Sequence, residues 1–311
     1  MAVFILVFFI LITAYGFVID RYRKGWNQLP VYLKDESSPS TYVSVIIAAR
    51  NEEKNIIALT NSLRDQDYSA ELFEVIVVDD DSTDATRDQL RLAARDFQNL
   101  QILSVKHDLI VTGHKKKAIE AGIGIAKGNL IITSDADCVF SPGWISTIVN
   151  FYEKSGAKMI AAPVKLTGSL SFLYYFQVLD FLSLQGITGA ALFKQLHVLC
   201  NGANLAYEKK VFKAVGGFKD IDHLASGDDM LLMQKIKDLY PEGIAYLKNT
   251  DAVVSTAAAG NWRAFFQQRI RWSSKAPYYK DRSLLYILAL VYAVNLSFIV
   301  LLLFIPFNYG A

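Results

Sequence analysis

The charged residues of this 311-residue chain are confined to its middle. None of the 32 Lys and Arg or the 30 Asp and Glu falls in residues 1–19 or in residues 283–311. From Asp20 to Arg282 about one residue in four is charged, as in an ordinary soluble domain. The apolar content of 52% is therefore an average over two unlike materials. This distribution excludes a plain soluble enzyme, a polytopic bundle that buries most of its length, and a disordered chain. It predicts a large soluble domain held between two apolar ends.

The first end, MAVFILVFFILITAYGFVI, is long enough as a helix to span roughly 28 Å, close to the hydrocarbon core of a bilayer. It has no basic segment before it, and Asp20, Arg21, Arg23 and Lys24 follow it, the pattern of an anchor rather than a cleaved signal. The second end, Ser283 to Pro306, follows Lys275, Lys280 and Arg282. Both inner flanks are basic, so the middle is expected in the cytoplasm of an integral cytoplasmic-membrane (inner or plasma membrane) protein. Two buried core helices are the competing reading, but such helices rarely lack every charge. Pro30 to Thr41 reads as a linker. The apolar segment Leu170–Phe193 is interrupted by Gln177, Asp180 and Gln185, so it is expected to lie along a surface rather than cross.

The net charge of +2, without a basic run or basic-aromatic stripe, argues against a nucleic-acid partner. Cys138 and Cys200 lack metal-ligand spacing and are expected as reduced thiols. The four histidines form no HExxH, which argues against zinc.

From residue 42, β-branched runs alternate with helical stretches. Tyr42–Ala49, Glu74–Val78, Leu100–Val105 and Asn129–Ser134 read as strands. Helices are expected up to about Arg64, over Asp84–Phe97 and over Lys116–Ala126. Such alternation predicts an α/β fold with a mostly parallel sheet covered on both faces. Ligands in such folds bind beyond the carboxyl ends of the strands. The residues there are Arg50-Asn51-Glu52-Glu53, Asp79 to Asp84, and Asp135-Ala136-Asp137. Helix capping can account for Asp84 but not for a DxD closing an apolar strand. A hard divalent cation would neutralise these acids and bridge them to phosphates. Neither GxGxxG nor a P-loop is present, so phosphate is expected on metal and lysine rather than in a glycine cradle.

The strings VSVIIAARNEE, EVIVVDDDSTD, HKKKAIEAGI, SDAD followed by a proline, NGANLAY, SGDD and QQRIRW occur in that order between residues 43 and 272. Together they resemble the membrane-anchored family 2 inverting glycosyltransferases, of the branch that includes cellulose, chitin and hyaluronan synthases. The resemblance implies a GT-A-like, Rossmann-like fold flanked by transmembrane helices. It also implies a nucleotide-sugar donor, Mg2+ or Mn2+ as cofactor, and a glycan or lipid acceptor beside membrane lipids. By the same resemblance Arg50, Asn51 and Glu52, with the backbone at Ala48 and Ala49, line the nucleobase pocket, although many relatives carry proline at the position of Ala48. Asp80 holds the uracil or ribose edge, and Lys115 is the phosphate-side lysine, with Lys116 and Lys117 read as a solvated helix start. Asp135 and Asp137 hold the metal. Asp229 is the general base and Asp228 orients it; adjacent carboxylates near phosphates are expected to raise one another's pKa. Gln268 and Arg271 meet the departing diphosphate, and Trp272 the acceptor sugar, on a helix that could equally rest in the headgroup region. Cys200, Asn201 and Gly202 either contact the acceptor or form a buried strand entry.

The expected organisation is an N-terminal transmembrane helix over 1–19, a linker over 20–41 and a catalytic domain over 42–260. An amphipathic interfacial helix with QxxRW follows over 261–282, then a transmembrane helix over 283–306. The expected reaction is transfer from a UDP-sugar, less so a GDP-sugar, to a hydroxyl. A nucleotidyltransferase is the rival enzyme, but it requires a glycine-rich signature near the first strand. A scaffold on an inactive transferase fold is disfavoured by the intact motifs. Two spans cannot enclose a polymer channel. The chain is therefore expected to be a piece of a longer processive synthase, to form a homo-oligomer, or to add single sugars.

Overall fold

The protein is described by a computed structural model over residues 2–35, 37, 39–106, 113–224 and 226–304. The alternating middle forms β1 (Val43–Ala49), α2 (Ile56–Arg64), β2 (Phe73–Asp80), α3 (Thr86–Asp96), β3 (Leu100–Val105), α4 (His114–Ile125) and β4 (Leu130–Asp135), preceded by α1 (Ala2–Gln28). Then come β5 (Cys138–Val139), α5 (Trp144–Ser155), β6 (Met159–Ala161), β7 (Val164–Thr167) and α6 (Phe172–Phe193). β8 (Leu205–Glu208), α7 (Lys209–Ala214), α8 (Met230–Leu239), β9 (Ile244–Tyr246), β10 (Val254–Ala257), α9 (Trp262–Ser273) and α10 (Arg282–Phe304) complete the order.

The main sheet has seven strands in the order β3-β2-β1-β4-β8-β6-β9, with only β8 antiparallel to its neighbours. Its central strands are buried on both faces, which is why they read as continuous apolar runs. Alternate residues serve opposite cores. Val43, Val45 and Ile47 face the cluster built with Leu59, Leu63, Leu90 and Trp144, whereas Ile46, Ile76 and Ile131 face the cluster with Ile119, Ile123, Phe212 and Leu232. The chain runs outward from β1 through β2 to β3, then returns to β4 on the other side of β1. A topological switch point therefore lies between β1 and β4, where Ala48 pairs with Asp135. A second sheet, β5-β10-β7, was not foreseen, because strands of two to four residues are too short to show a period.

Among the described residues three helices are long and apolar enough to cross a membrane: Val3–Gln28 within α1, Phe172–Phe193 and Arg282–Leu303 within α10. They differ in how they meet the domain. None of the most apolar window of α1 is buried and 17% of that of α10, against 44% for α6. The polar residues that interrupt α6 dock it. Gln177 exchanges two hydrogen bonds with Ala259, Gln185 accepts from the Val164 N–H, and Asp180 pairs with Arg269. α1 runs on past Asp20, where a linker was expected, because Tyr22 and Leu29 are buried against the domain while Asp20, Arg23 and Lys24 pair on the exposed face. The predicted QxxRW helix is shorter than 261–282: Asn261 caps α9, which ends at Ser273 before a tight turn at Ala276–Tyr278. Residues 305 and 306 of the expected second span lie outside the described residues.

Candidate active site

The loops that follow β1 and β2 are stitched together. Asn51, at φ +57°, donates its N–H to Ser82 and accepts from Thr83 N–H at its Oδ1; Glu52 N–H reaches Thr86 Oγ1 at 2.7 Å. Arg50 is exposed and Ala48 half-buried at the end of β1. In the second loop Asp79, wholly buried, is held by Arg87 at 2.5 Å, while Asp80 is buried at the end of β2. Asp84 accepts from the N–H groups of Thr86 and Glu53, while the N-cap position of α3 falls to Ala85. Glu52 leans toward the acids after β4. Burial raises its pKa, Asn55 opposes through a hydrogen bond, and Asp137 and Asp135 add to the rise.

Asp135 closes β4, and its Oδ1 accepts from Lys115 Nζ at 2.6 Å. The same ammonium lies 2.9 Å from Asp228 Oδ2, so one lysine joins the DxD to the DD. Desolvation opposes the charge on Lys115, yet the two carboxylates outweigh it and hold its pKa well above the ordinary range. Asp137 accepts from Thr256 of β10 at 3.0 Å; desolvation and then Asp135 push its carboxyl up. Two carboxylates that repel one another at the end of a strand fit a divalent cation such as Mg2+, which commonly takes one or two carboxylates and completes its shell with phosphate and water. Among the described residues no group of three or more His, Cys, Asp or Glu side chains forms a ready-made cation cage.

The start of α4 clasps the loop that carries the DD. Lys116 is buried rather than solvated as expected, and its Nζ donates to the carbonyls of Leu224 at 2.6 Å and Ser226 at 2.7 Å. Gly113, at φ +80°, packs so tightly beneath this loop that a Cβ there would lie 2.2 Å from the Asp222 carbonyl oxygen. Lys117 is exposed. The two acids then diverge. Burial raises the pKa of Asp228, but Lys115 overcomes it and brings the group down to about 2. For Asp228 this corrects the expectation that the neighbouring carboxylates raise one another: the lysines beside it, Lys115 first and Lys275 after it, outweigh burial. Asp229 is the N-cap of α8, accepting from Met230 N–H at 2.7 Å, and its Oδ1 also meets Lys275 Nζ at 2.9 Å in a buried ion pair.

Gly202 lies against both acids; a Cβ there would sit 3.5 Å from Asp228 Oδ2 and 3.6 Å from Asp229 Oδ2. Asn201 accepts from the Ala203 N–H, and Cys200 is half-buried with its thiol pushed up by burial and then by Asp229. None of the three is in a strand; β8 begins at Leu205. On α9, Gln268 is half-buried and Arg271 is exposed, making no ion pair among the described residues. Trp272 packs on Phe181 and beneath Arg269, whose guanidinium sits 4.3 Å from its ring and pairs with Asp180.

The structure thus brings Glu52, Lys115, Asp135, Asp137, Gly202, Asp228 and Asp229 together and leaves Arg271 at the surface. Sequence reasoning missed Lys116, Lys275, Arg269 and Thr256. Lys116 had a signal, since it precedes Ile119 and Ile123 at helical spacing on the buried stripe of α4. Lys275 had none, because it follows the end of a helix.

A family model, glycosyl transferase family 2, matches residues 44–216. A beta-monoglucosyldiacylglycerol synthase from Nostoc sp. is 30% identical over 155 residues, 49% of this chain and 31% of the relative. The chain therefore matches about a third of the length of that relative. The solved mannosyltransferase PcManGT from Pyrobaculum calidifontis, in complex with GDP-Man and Mn2+, superposes with a TM-score of 0.71 at 20% identity, over 98% of this chain and 86% of its own. Staphylococcus aureus TarS residues 1–349, in complex with UDP-GlcNAc, superposes with a TM-score of 0.53 at 22% identity, over 72% and 60%. At these identities the likeness is one of fold, and the fold is GT-A-like.

Proposed function

The chain belongs to glycosyl transferase family 2, and from that premise we propose that it moves a sugar from a nucleotide-sugar donor to a hydroxyl of a lipid or glycan, inverting the anomeric carbon. A UDP-sugar is the first candidate donor and a GDP-sugar the second. The observation that carries the reading is the Lys115 ammonium, 2.6 Å from Asp135 and 2.9 Å from Asp228, which gathers the DxD and the DD at the switch point of the sheet. The glycolipid-making relative favours a lipid acceptor. The charge-free faces of α1 and α10 favour a membrane anchor at each end, with 42–260 as the catalytic domain on the cytoplasmic side and 261–282 at the interface.

In this reading Arg50, Asn51, Glu52 and the backbone at Ala48 hold the nucleobase, Asp80 the ribose side, and Lys115 the diphosphate. Asp135 and Asp137 would hold Mg2+ or Mn2+, which when bound supplies positive charge to the diphosphate. Asp229 takes the proton of the acceptor hydroxyl as its oxygen bonds to the anomeric carbon. The bond from that carbon to the diphosphate breaks, and the electron pair leaves with the nucleoside diphosphate. Asp228 and Gly202 shape the acceptor's approach with Cys200 and Asn201. Gln268, Arg271 and Trp272 close over the site once substrates are bound, which requires Arg271 to turn inward from the surface. Lys275 holds Asp229 in place through their buried contact.

The test is a donor screen on the purified chain in detergent with Mg2+ or Mn2+. Release of free UDP or GDP is expected, lost on chelation and restored by the cation. Exchange dependent on pyrophosphate instead would indicate nucleotidyl transfer and overturn the reading. Full transfer by a folded, donor-binding Asp229→Asn would remove the base from Asp229.

A further inference from the structure

Outside the active site the structure holds a groove of about 430 Å3 between α1, α10 and the segment after α6. It lies where both apolar helices reach their charged flanks, Asp20 to Lys24 on α1 and Asp281 and Arg282 at the start of α10. Its walls change character along its length. Val18 and Ile287 line the part beside the charge-free segments, and Arg21, His197 and Ser283 line the part beside the domain.

Two observations at the polar end point to an anion. Arg21 is exposed and makes no ion pair among the described residues, whereas Arg23 and Lys24 on the same helix both pair with Asp20. His197 is 1% exposed, and its Nδ1 has no hydrogen-bond partner. The other ring nitrogen, Nε2, meets the Tyr22 hydroxyl at 3.1 Å. In the neutral tautomer whose Nε2 accepts from Tyr22, Nδ1 bears the proton and is a buried donor that lacks an acceptor. The carboxylate of Asp281 makes no hydrogen bond to Nδ1: its Oδ1 takes the N–H and hydroxyl of Ser283 and the N–H of Leu284, and its Oδ2 lies 3.9 Å from Lys237 Nζ.

We infer that this groove binds one anionic phospholipid, its phosphate at Arg21 and His197 and an acyl chain along Val18 and Ile287. The inference rests on the reading that α1 and α10 are membrane-embedded. A phosphate oxygen satisfies the charge of Arg21 and the orphan donor together, and the apolar floor continues in the direction an acyl chain takes. A soluble anion would use only the polar end. The lipid is distinct from the transferase acceptor: among the described residues none of the groove's lining belongs to the acid cluster around Asp228 and Asp229.

The experiment uses the full chain, purified in detergent, stripped of lipid and titrated with phosphatidylglycerol or phosphatidylcholine under native mass spectrometry. The first phosphatidylglycerol is expected to bind more tightly than phosphatidylcholine. Arg21→Ala should lose about fivefold in that affinity, the worth of one cation at a lipid headgroup, while Arg23→Ala loses little. Ile287→Trp, which fills the apolar end, should weaken the same step. Equal losses in Arg21→Ala and Arg23→Ala would reduce the effect to general surface charge and overturn the site, as would an unaltered first step in Arg21→Ala and Ile287→Trp. Displacement of the lipid by inorganic phosphate would make the occupant a free anion and overturn the acyl-chain half. Carbonate extraction separates this from the anchoring proposal: release of the chain from membranes fails the anchor, whereas retention with unaltered variants fails only the groove.

Discussion

Asp228 faces Lys115, whose side chain is 35% exposed and also holds Asp135, whereas Asp229 faces Lys275, whose side chain is 10% exposed and comes from beyond the end of α9. The two acids are adjacent in the chain and divide between two sides of the site. The first pair gathers at the carboxyl end of β4 and is partly exposed. The second is enclosed, and it ties the proposed base to the segment that leads into α10. A doublet in the sequence is therefore two separate ion pairs, one partly open and one enclosed.

The largest expected effect separates the acids by role. Asp229→Asn should reduce turnover about a thousandfold with donor KM nearly unchanged, as for loss of a general base, whereas Asp228→Asn should act mainly on donor KM. Equal kinetic profiles would erase the distinction. Next in size is stability. Lys275→Met leaves a buried carboxylate without its partner and should cost about 3 kcal/mol in denaturant unfolding. Lys115→Met, in the more exposed pair, should cost less, about 2 kcal/mol. If the two losses match, burial does not distinguish the pairs. Lys116→Met, which removes the two bonds to the Leu224 and Ser226 carbonyls, should cost about 2 kcal/mol and raise hydrogen exchange in the 222–229 loop.

A separate effect is in acid. Asp228 has its pKa lowered in the fold, to about 2 from an ordinary 3.8, so the unfolded chain binds the proton first. Its contribution to stability is complete above pH 3.8 and is lost as the pH falls through about 2, by at most about 1.4 kcal/mol per pH unit. Comparing wild type with Asp228→Asn between pH 5 and pH 2 isolates it, and parallel curves would contradict the ion pair with Lys115.

Much of the fold was legible because its signals are local. The β1, β2 and β4 runs are apolar throughout because both faces of those strands are covered, and the acids stand where the strands end. The pairs Glu74–Val78 with Phe73–Asp80, and Leu100–Val105 with the same span in the structure, show how near periodicity comes. The site was legible only in part. Asp135, Asp137, Asp228 and Asp229 were found by pattern, but the lysines that decide their charge were not all found. Lys116 was misread because a run of three lysines looks like a solvated surface, although only one face of α4 is solvated. Arg269 was passed over for Arg271, since a motif names residues without saying which way the helix turns.

By itself the sequence determined that a mostly parallel α/β domain would stand between two charge-free segments with an acidic rim at the ends of its strands. Those features depend on hydrophobic periodicity and on the cost of burying charge, both readable within a few residues of each position. Only the tertiary structure decided that α6 docks through Gln177, Asp180 and Gln185, and which lysine each acid receives. Asp229 and Lys275 lie 46 residues apart and carry no shared local signal. Their pairing follows from where α8 and the end of α9 come to rest, because a buried charge accepts whichever partner the fold brings within reach.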